Sequence, residues 1–362
     1  SVSKSIGSFV GYFQDALLNI SHPGKNELPG FPCTGLYHFT HQNAGEGSRI
    51  HLRVDPDGSG ILLVNASRIL HLNRTAAFMT YLALSKIPDP QAIRSIQRTF
   101  NVTSSQARGD YSHINAQLQE LVRPDGACPI HELELDIISP FSRTPSAPYR
   151  MDLALTYRCN NECAHCYNAR QRSFPELNTQ AWFTLLDHLW EIGIPHIVFT
   201  GGEPTLRNDL PDLIAHTEGN GQITGINTNG RRLSDEKYLD QLVKAGLDHV
   251  QVTLESHDPA IHDNMVSAKG AWKQTVQGIR NALASRLFVM TNTTMLKENS
   301  PTLSQTLDFL GELGVPTIGL NALIYSGHGL KVGTGLAESE LHQLLEIARQ
   351  KTDQNGQRLI WY

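Results

Sequence analysis

Three cysteines fall within eight residues: Cys159, Cys163 and Cys166, in the run Arg158-Cys159-Asn160-Asn161-Glu162-Cys163-Ala164-His165-Cys166-Tyr167-Asn168. Thiolates are soft ligands, and a tight loop can set three of them on three corners of one iron–sulfur cube. Three ligands on a four-iron cluster leave one iron open to a small molecule. The competing reading is structural zinc, which wants four ligands, usually as two separated pairs. His165 adjoins Cys166, where neighbouring residues rarely wrap one tetrahedral ion, and no second pair stands nearby. A secreted disulfide framework would normally use an even number of cysteines at wider spacing. Here Cys33 and Cys128 are scattered. Clustered thiols imply a reducing compartment, so a cytoplasmic location is expected.

A second polar run, Thr200-Gly201-Gly202-Glu203-Pro204, carries two glycines that let backbone approach a ligand without a Cβ between them. Glu203 offers a carboxylate to a cationic group. Taken alone, the run is an ordinary strand-to-loop turn. The elements around both motifs are regular. Apolar strands are expected at Met151–Tyr157, His196–Thr200, Ile223–Thr228, His249–Leu254, Phe288–Thr294 and Thr317–Leu320. Helical patterns lie between them, over Thr179–Ile192, Leu210–Gly219, Asp235–Ala245, Ala271–Ala284 and Leu303–Leu313, with another at Glu338–Arg349. Gly193, Gly246 and Gly314 stop three of these helices. Such alternation means right-handed crossovers and a parallel α/β sheet, whose sites sit at strand C-termini. Both motifs follow a strand. Periodicity leaves open whether the sheet closes.

The cysteine spacing, its flanks and the Gly-Gly-Glu-Pro element together resemble the radical S-adenosylmethionine (radical SAM) enzymes. Asn227-Thr228-Asn229-Gly230 adds to the likeness, which covers about Met151–Arg349. The resemblance implies a partial (β/α)6 TIM-like barrel. It further implies a 4Fe-4S cluster on Cys159, Cys163 and Cys166, and S-adenosyl-L-methionine chelated at the open iron. Gly201, Gly202 and Glu203 would then meet the methionine end. One electron, from a donor such as flavodoxin or ferredoxin, would split the sulfonium to a deoxyadenosyl radical that takes a substrate hydrogen. Tyr167 would lie against the adenine or serve as barrel packing. Thr253 and Glu255 would hold the ribose or the carboxylate. Asn292 would reach a ribose hydroxyl or cap its strand, and Asn321–Gly329 would line the adenine. Many family members read Ser-x-Asp-Gly, then His-Asp and an Arg. Here the residues are Thr253-Leu254-Glu255-Ser256, then His262-Asp263-Asn264-Met265-Val266. The Arg is missing, which leaves Lys269 as a candidate carboxylate partner. His262 and His328 are expected to be loop histidines. The peptide-modifying branch often ends in a cysteine-rich SPASM or twitch extension. Here the residues stop at Trp361-Tyr362, inside a strand pattern, and a truncated chain is expected.

Ahead of the barrel, Ser1–Ile20 reads as a helix with Ile6, Phe9, Val10, Phe13, Leu17 and Ile20 on one face, and residues 21–48 as loop. Residues 51–138 read as a small winged helix-turn-helix domain. Strands at His51–Asp55, Ile61–Val64 and Ile69–Leu72 precede helices beginning at Asn73, Pro88 and Ser104. Asp55-Pro56-Asp57-Gly58-Ser59-Gly60 imitates the start of a calcium loop, but Ala66 stands where a bidentate Glu is required, so it reads as a turn. Residues 139–150, with Pro140, Pro145 and Pro148, form a linker. Residues 151–362 are the barrel. The third helix carries Arg108 but also Asp110 and Glu120, and the chain has 30 basic against 35 acidic residues. Nucleic acid is therefore an unlikely partner. No run approaches the ~20 apolar residues of a membrane span. Ile69–Ala76 instead resembles the peptide chaperone of pyrroloquinoline quinone biosynthesis. That likeness implies a precursor peptide bound over residues 51–123, adding a strand at the edge Ile69–Leu72. The function expected is radical modification of a ribosomally made peptide or protein. One alternative is the same chemistry on a small molecule or tetrapyrrole. The other is an iron–sulfur DNA-binding regulator, against which the Gly-Gly-Glu-Pro element argues.

Overall fold

The computed structural model describes residues 28–43, 46–65, 68–122, 145–168 and 173–361. The expected N-terminal helix, Cys128 and the first half of the expected linker lie outside the described residues. The chain divides into two compact units, one over Ser1–Tyr149 with His188–Pro195, the other over Arg150–Asp187 and His196–Tyr362.

The first unit is a four-stranded antiparallel sheet, β1 Gly35–Asn43, β2 Glu46–Val54, β3 Gly60–Val64 and β4 Arg68–Leu72, in the order β1-β2-β3-β4. Three helices follow: α1 Arg74–Leu84, α2 Asp89–Phe100 and α3 Ser104–Val122. Asn73 caps α1, its Oδ1 accepting the Ala76 N–H at 2.8 Å. Ile50, Leu52, Leu62, Leu70, Phe78, Leu82 and Ile96 form the core. The expected turn at Asp57 is present, with Asp57 Oδ1 accepting the Ser59 N–H at 2.9 Å.

One element corrects the expected loop at 21–48. Strand β1 pairs with β2 over nine residues, and β2 begins at Glu46 rather than His51. Gly, His and Asn weaken local strand propensity there. Tyr37 and Phe39 nevertheless pack on the core, and cross-strand pairing outweighs propensity. Three strands and three helices thus become four strands and three helices.

The second unit is a seven-stranded, wholly parallel sheet in the order β11-β10-β9-β8-β7-β6-β5. Its strands are β5 Met151–Thr156, β6 His196–Gly201, β7 Ile223–Thr228, β8 His249–Thr253, β9 Phe288–Thr294, β10 Thr317–Asn321 and β11 Arg358–Trp361. The seventh, β11, pairs with β10 and extends the six strands of the expected barrel. The helices are α4 Thr179–Glu191, α5 Leu210–Gly219, α6 Glu236–Ala245, α7 Pro259–Met265, α8 Ala271–Leu283, α9 Leu303–Glu312 and α10 Glu338–Gln354. Alternate strand residues divide by chemistry. Leu155, Ile197, Phe199, Ile226, Val250, Val252, Val289 and Ile318 are buried. Their neighbours Asp152, Thr200, Asn227, Gln251, Asn292 and Asn321 line a hollow. A sheet packed on both faces reads as continuous apolar runs, whereas this one keeps a polar inner face because it curls around a lumen.

Histidines occupy the N-terminal end of that lumen. His196 and His249 meet Nε2 to Nε2 at 2.8 Å. A Cβ on Gly225 would stand 2.0 Å from the His249 ring, so glycine is what lets this ring lie there. Burial, reinforced by the Arg150 guanidinium and opposed by Asp152, pulls His249 down to about 4. The folded state therefore favours the neutral ring. Its contribution to stability is complete above the ordinary histidine value near 6.5 and is lost as pH falls from there toward 4. The loss can reach about 1.4 kcal/mol per pH unit. Urea denaturation at pH 7 and pH 5 checks this: the fall in stability should be smaller in His249→Phe than in the wild-type chain.

Candidate active site

Cys159, Cys163 and Cys166 lie on the loop after β5, and all three line a cavity of about 380 Å³ at the C-terminal end of the lumen. Among the described residues no three or more His, Cys, Asp or Glu side chains, these cysteines included, converge on a single-ion site. The loop is pinned from every side. Gly202 donates its N–H to Thr156 O (2.7 Å) and Glu203 to Arg158 O (2.8 Å), carrying β5–β6 pairing to the residue before Cys159. Glu162 and Ala164 donate to the Val266 and Met265 carbonyls at the end of α7, at 3.0 and 3.1 Å. Arg231 Nη1 reaches the Asn160 carbonyl (2.5 Å) and Asn161 Oδ1 (2.8 Å). The His328 N–H donates to Cys166 O at 2.9 Å, from the turn Gly327–Leu330.

The glycines do a different job from the one expected of them. A Cβ on Gly201 would sit 2.2 Å from Thr156 O, and one on Gly202 would sit 2.2 Å from Arg158 O. Gly201 also has φ +136°. What needs the missing side chains is therefore the protein's own backbone, although both residues do line the cavity.

Glu203 is expected to face a ligand, and the structure turns it inward. It is fully buried and does not line the cavity. Its Oε1 accepts from Thr205 N (3.1 Å), Thr205 Oγ1 (2.7 Å) and Thr228 Oγ1 (2.7 Å), while Oε2 accepts from Asn229 N (2.8 Å). Burial raises its carboxyl, opposed by these donors. Four satisfied bonds make it the joint between the β6 and β7 ends. Glu255 corrects a second expectation. It touches the cavity wall with no exposed surface, and both oxygens are committed, to His165 Nε2 (2.9 Å) and Thr294 N (2.9 Å). Lys269 is exposed and lies outside the cavity lining. The guanidinium in that lining is Arg150, paired with Asp152 at 2.7 Å.

Tyr167, Thr253 and Asn292 line the cavity together with the cysteines. Tyr167 is half exposed, and burial of the rest raises its hydroxyl. Asn292 gives its Nδ2 to Asn321 Oδ1 (2.9 Å), leaving its own Oδ1 without a partner among the described residues. Asn227 Oδ1 is likewise unpartnered. These two buried acceptors face the cavity, where ordered water or a bound molecule can supply their donors. Neither expected loop histidine is free of the site. His262 sits buried on α7, its Nδ1 accepting the Glu255 N–H at 3.1 Å, and His328 Nδ1 contacts Cys163 O at 3.2 Å. The sequence gives Arg231 no role, and marks Asn227 and His165 only as members of motifs, without the contacts they make here. The signal for Asn227 was polar residues at alternate positions of otherwise apolar strands.

Electrostatics suit a cationic centre. Burial, then Glu255, then the other two cysteines push the Cys163 thiol far up. Without metal that thiol stays protonated. A bound iron centre supplies the positive charge that reverses the balance.

A parallel partial barrel with a three-cysteine loop after its first strand defines a class of fold, and known proteins share it. Residues 153–310 match the family model described as the Radical SAM superfamily, so the chain carries a radical SAM domain. It is 34% identical over 201 residues to Fe-coproporphyrin III synthase of Methanosarcina barkeri, covering 55% of this chain and 50% of that protein. It is 30% identical over 218 residues to PqqA peptide cyclase of Granulibacter bethesdensis, covering 60% and 58%. The chain thus spans about half the length of the curated relatives it matches. Streptococcus suis SuiB bound to precursor peptide SuiA superimposes with TM-score 0.62 at 15% identity, over 90% of this chain and 72% of that one. SuiB bound to S-adenosylmethionine gives 0.62 at 17% identity, over 86% and 71%. These likenesses show the fold. Radical SAM domains use a 4Fe-4S cluster and S-adenosylmethionine, which the donor set fits.

Glu203→Ala leaves Asn229 N–H and two threonine hydroxyls without their acceptor. The expected cost is about 1–3 kcal/mol. A fall in thermal midpoint in the absence of any ligand is the expected result. A carboxylate that only met a ligand would leave that midpoint unchanged.

Proposed function

We propose that this protein is a cytoplasmic radical SAM enzyme that modifies a ribosomally made peptide. The observation that carries the reading is the three-cysteine loop, held over a polar lumen and joined in one chain to a small sheet domain with an open edge. Cys159, Cys163 and Cys166 would hold the cluster. When bound, the cluster and S-adenosylmethionine supply a deoxyadenosyl radical able to take a substrate hydrogen, fed by a one-electron donor such as flavodoxin or ferredoxin. The chain's residues then shape the site. The Gly201 and Gly202 backbone, with Glu203 behind it, fixes the loop's first residue. Asn227 and Asn292 offer unpaired acceptors, and Tyr167 guards the mouth.

The first unit supports peptide capture through its hydrogen-bond phase. Asp55 N donates to Ser59 O and Asn65 N to Arg49 O, so odd-numbered residues of β3 pair with β2. Even-numbered residues of β3 therefore face β4, opposite Leu72, Leu70 and Arg68. The backbone groups of Ile69 and His71 then point away from β3, and β4 is the last strand in its sheet. An added peptide strand would pair there. A second reading, chemistry on a tetrapyrrole, is favoured by the 34% identity to Fe-coproporphyrin III synthase.

Anaerobic reconstitution tests the core of the proposal. The expected product is one 4Fe-4S centre per chain by iron and sulfide assay. Reductive cleavage of S-adenosylmethionine should follow and should be lost in Cys159→Ala, Cys163→Ala or Cys166→Ala. A chain that fills with zinc and never with iron refutes it.

The substrate is tested separately with His71→Pro, which removes an outward N–H and spares the β3 ladder. Binding of a candidate precursor peptide, taken from a short reading frame near the gene, should fall about tenfold, with S-adenosylmethionine cleavage retained. Unchanged peptide binding, or turnover of an iron–coproporphyrin instead, removes the peptide reading.

A further inference from the structure

We propose that Glu255 is a positioning residue, which holds the cysteine loop in its cluster-binding shape through His165. The inference rests on the radical SAM reading of the loop and concerns this chain's own residues. His165 lies between Cys163 and Cys166, so fixing its ring fixes the backbone that carries both thiols. Its Nε2 donates to Glu255 Oε1 at 2.9 Å, with the histidine mostly buried and the carboxylate wholly so.

The far side of the contact is rigid. Glu255 Oε2 accepts the Thr294 N–H at the end of β9 (2.9 Å), and the Glu255 N–H is taken by His262 Nδ1 on α7 (3.1 Å). Asn299 Nδ2 donates to the Glu255 carbonyl (2.8 Å) and to the Thr294 carbonyl (2.9 Å). Each polar group of Glu255 thereby has at least one partner within the protein. The same helix α7 offers the Met265 and Val266 carbonyls to the loop. Glu255 thus joins the β8 and β9 ends and α7 to the one side chain lying between two cluster ligands. Carboxylates that orient a metal-ligating histidine are a related case, in which losing the partner weakens metal retention; here the oriented histidine lies between two ligands instead of being one. A residue that contacted S-adenosylmethionine would behave differently, because its loss would spare the metal and weaken the ligand.

The test uses the full chain, reconstituted anaerobically, and follows iron release to a ferrous chelator. Glu255→Leu and His165→Phe should each release iron about tenfold faster than wild type. The double variant should match either single, because one contact is lost once. Glu255→Gln should stay near wild type, since its amide can still accept from Thr294 N–H and bond His165 in its other tautomer. Leu310→Ala, a core truncation on α9, shows how much release a plain loss of stability brings, with thermal midpoints of the iron-free proteins as the scale. The proposal is overturned by wild-type iron retention in Glu255→Leu, by single effects that multiply in the double variant, or by Glu255→Gln behaving like Glu255→Leu. It is equally overturned if Leu310→Ala, at matched midpoint, releases iron as fast. A wild-type chain that takes up no iron at all refutes the radical SAM reading instead.

Discussion

At the first strand pair of the barrel, two backbones come closer than any side chain allows. Gly201 and Gly202 at the end of β6 lie against Thr156 and Arg158 at the end of β5, where added Cβ atoms would meet carbonyl oxygens at 2.2 Å. That approach lets two further hydrogen bonds form beyond the regular ladder. The last of them fixes Arg158, the residue before Cys159. Where the cysteine loop begins, and in which direction it leaves the sheet, depends on this contact. The contacts from Arg231, Glu255, Met265, Val266 and His328 then hold a loop whose root is already set.

Around that root the barrel separates two kinds of surface. Its outer face is apolar and its lumen is lined by amides, hydroxyls and the Arg150–Asp152 pair. Carboxylates at the upper rim serve the framework rather than the lumen. Glu203 closes the β6–β7 corner, and Glu255 closes β8–β9 against the cysteine loop. Both sit where charged groups invite a ligand-binding interpretation. Both are instead fully buried, and each carboxylate oxygen holds at least one hydrogen bond, which offsets the cost of burying it. Among the described residues the cavity wall also carries the three cysteines and the unpartnered amide oxygens of Asn227 and Asn292.

The first unit follows from a different constraint. Its core is built by one face of the sheet packing on three helices, with Phe31 stacked on Phe78 at 5.3 Å and Tyr37 set edge-on to Tyr81 at 5.1 Å. Aromatic contacts recruit β1, whose own residues argue weakly for a strand. At the sheet's other side, pairing phase decides which residues present free backbone. Ile69 and His71 turn theirs away from β3, whereas Leu70 is buried and faces β3, so its substitution would damage the sheet itself.

The sequence by itself determined the elements of the barrel and singled out the cysteine loop. Helices such as Leu210–Gly219 and strands such as Ile223–Thr228 were legible because each carries its own period and stop signals. Cysteine spacing is equally local, since loop length alone limits what three nearby thiols can bind. Residue type likewise drew attention to Glu203, Glu255, His262 and Gly201. What each does was decided only in three dimensions. A carboxylate near a strand end has the same letter whether it faces the lumen or a neighbouring amide. Which it faces depends on partners such as Asn229 and Thr294, 26 and 39 positions away in sequence. Strand β1 and the tether from His165 to Glu255, 90 positions apart, belong to the same class. Their energies arise from contacts between distant segments, and no local pattern encodes a contact whose two halves meet only after folding.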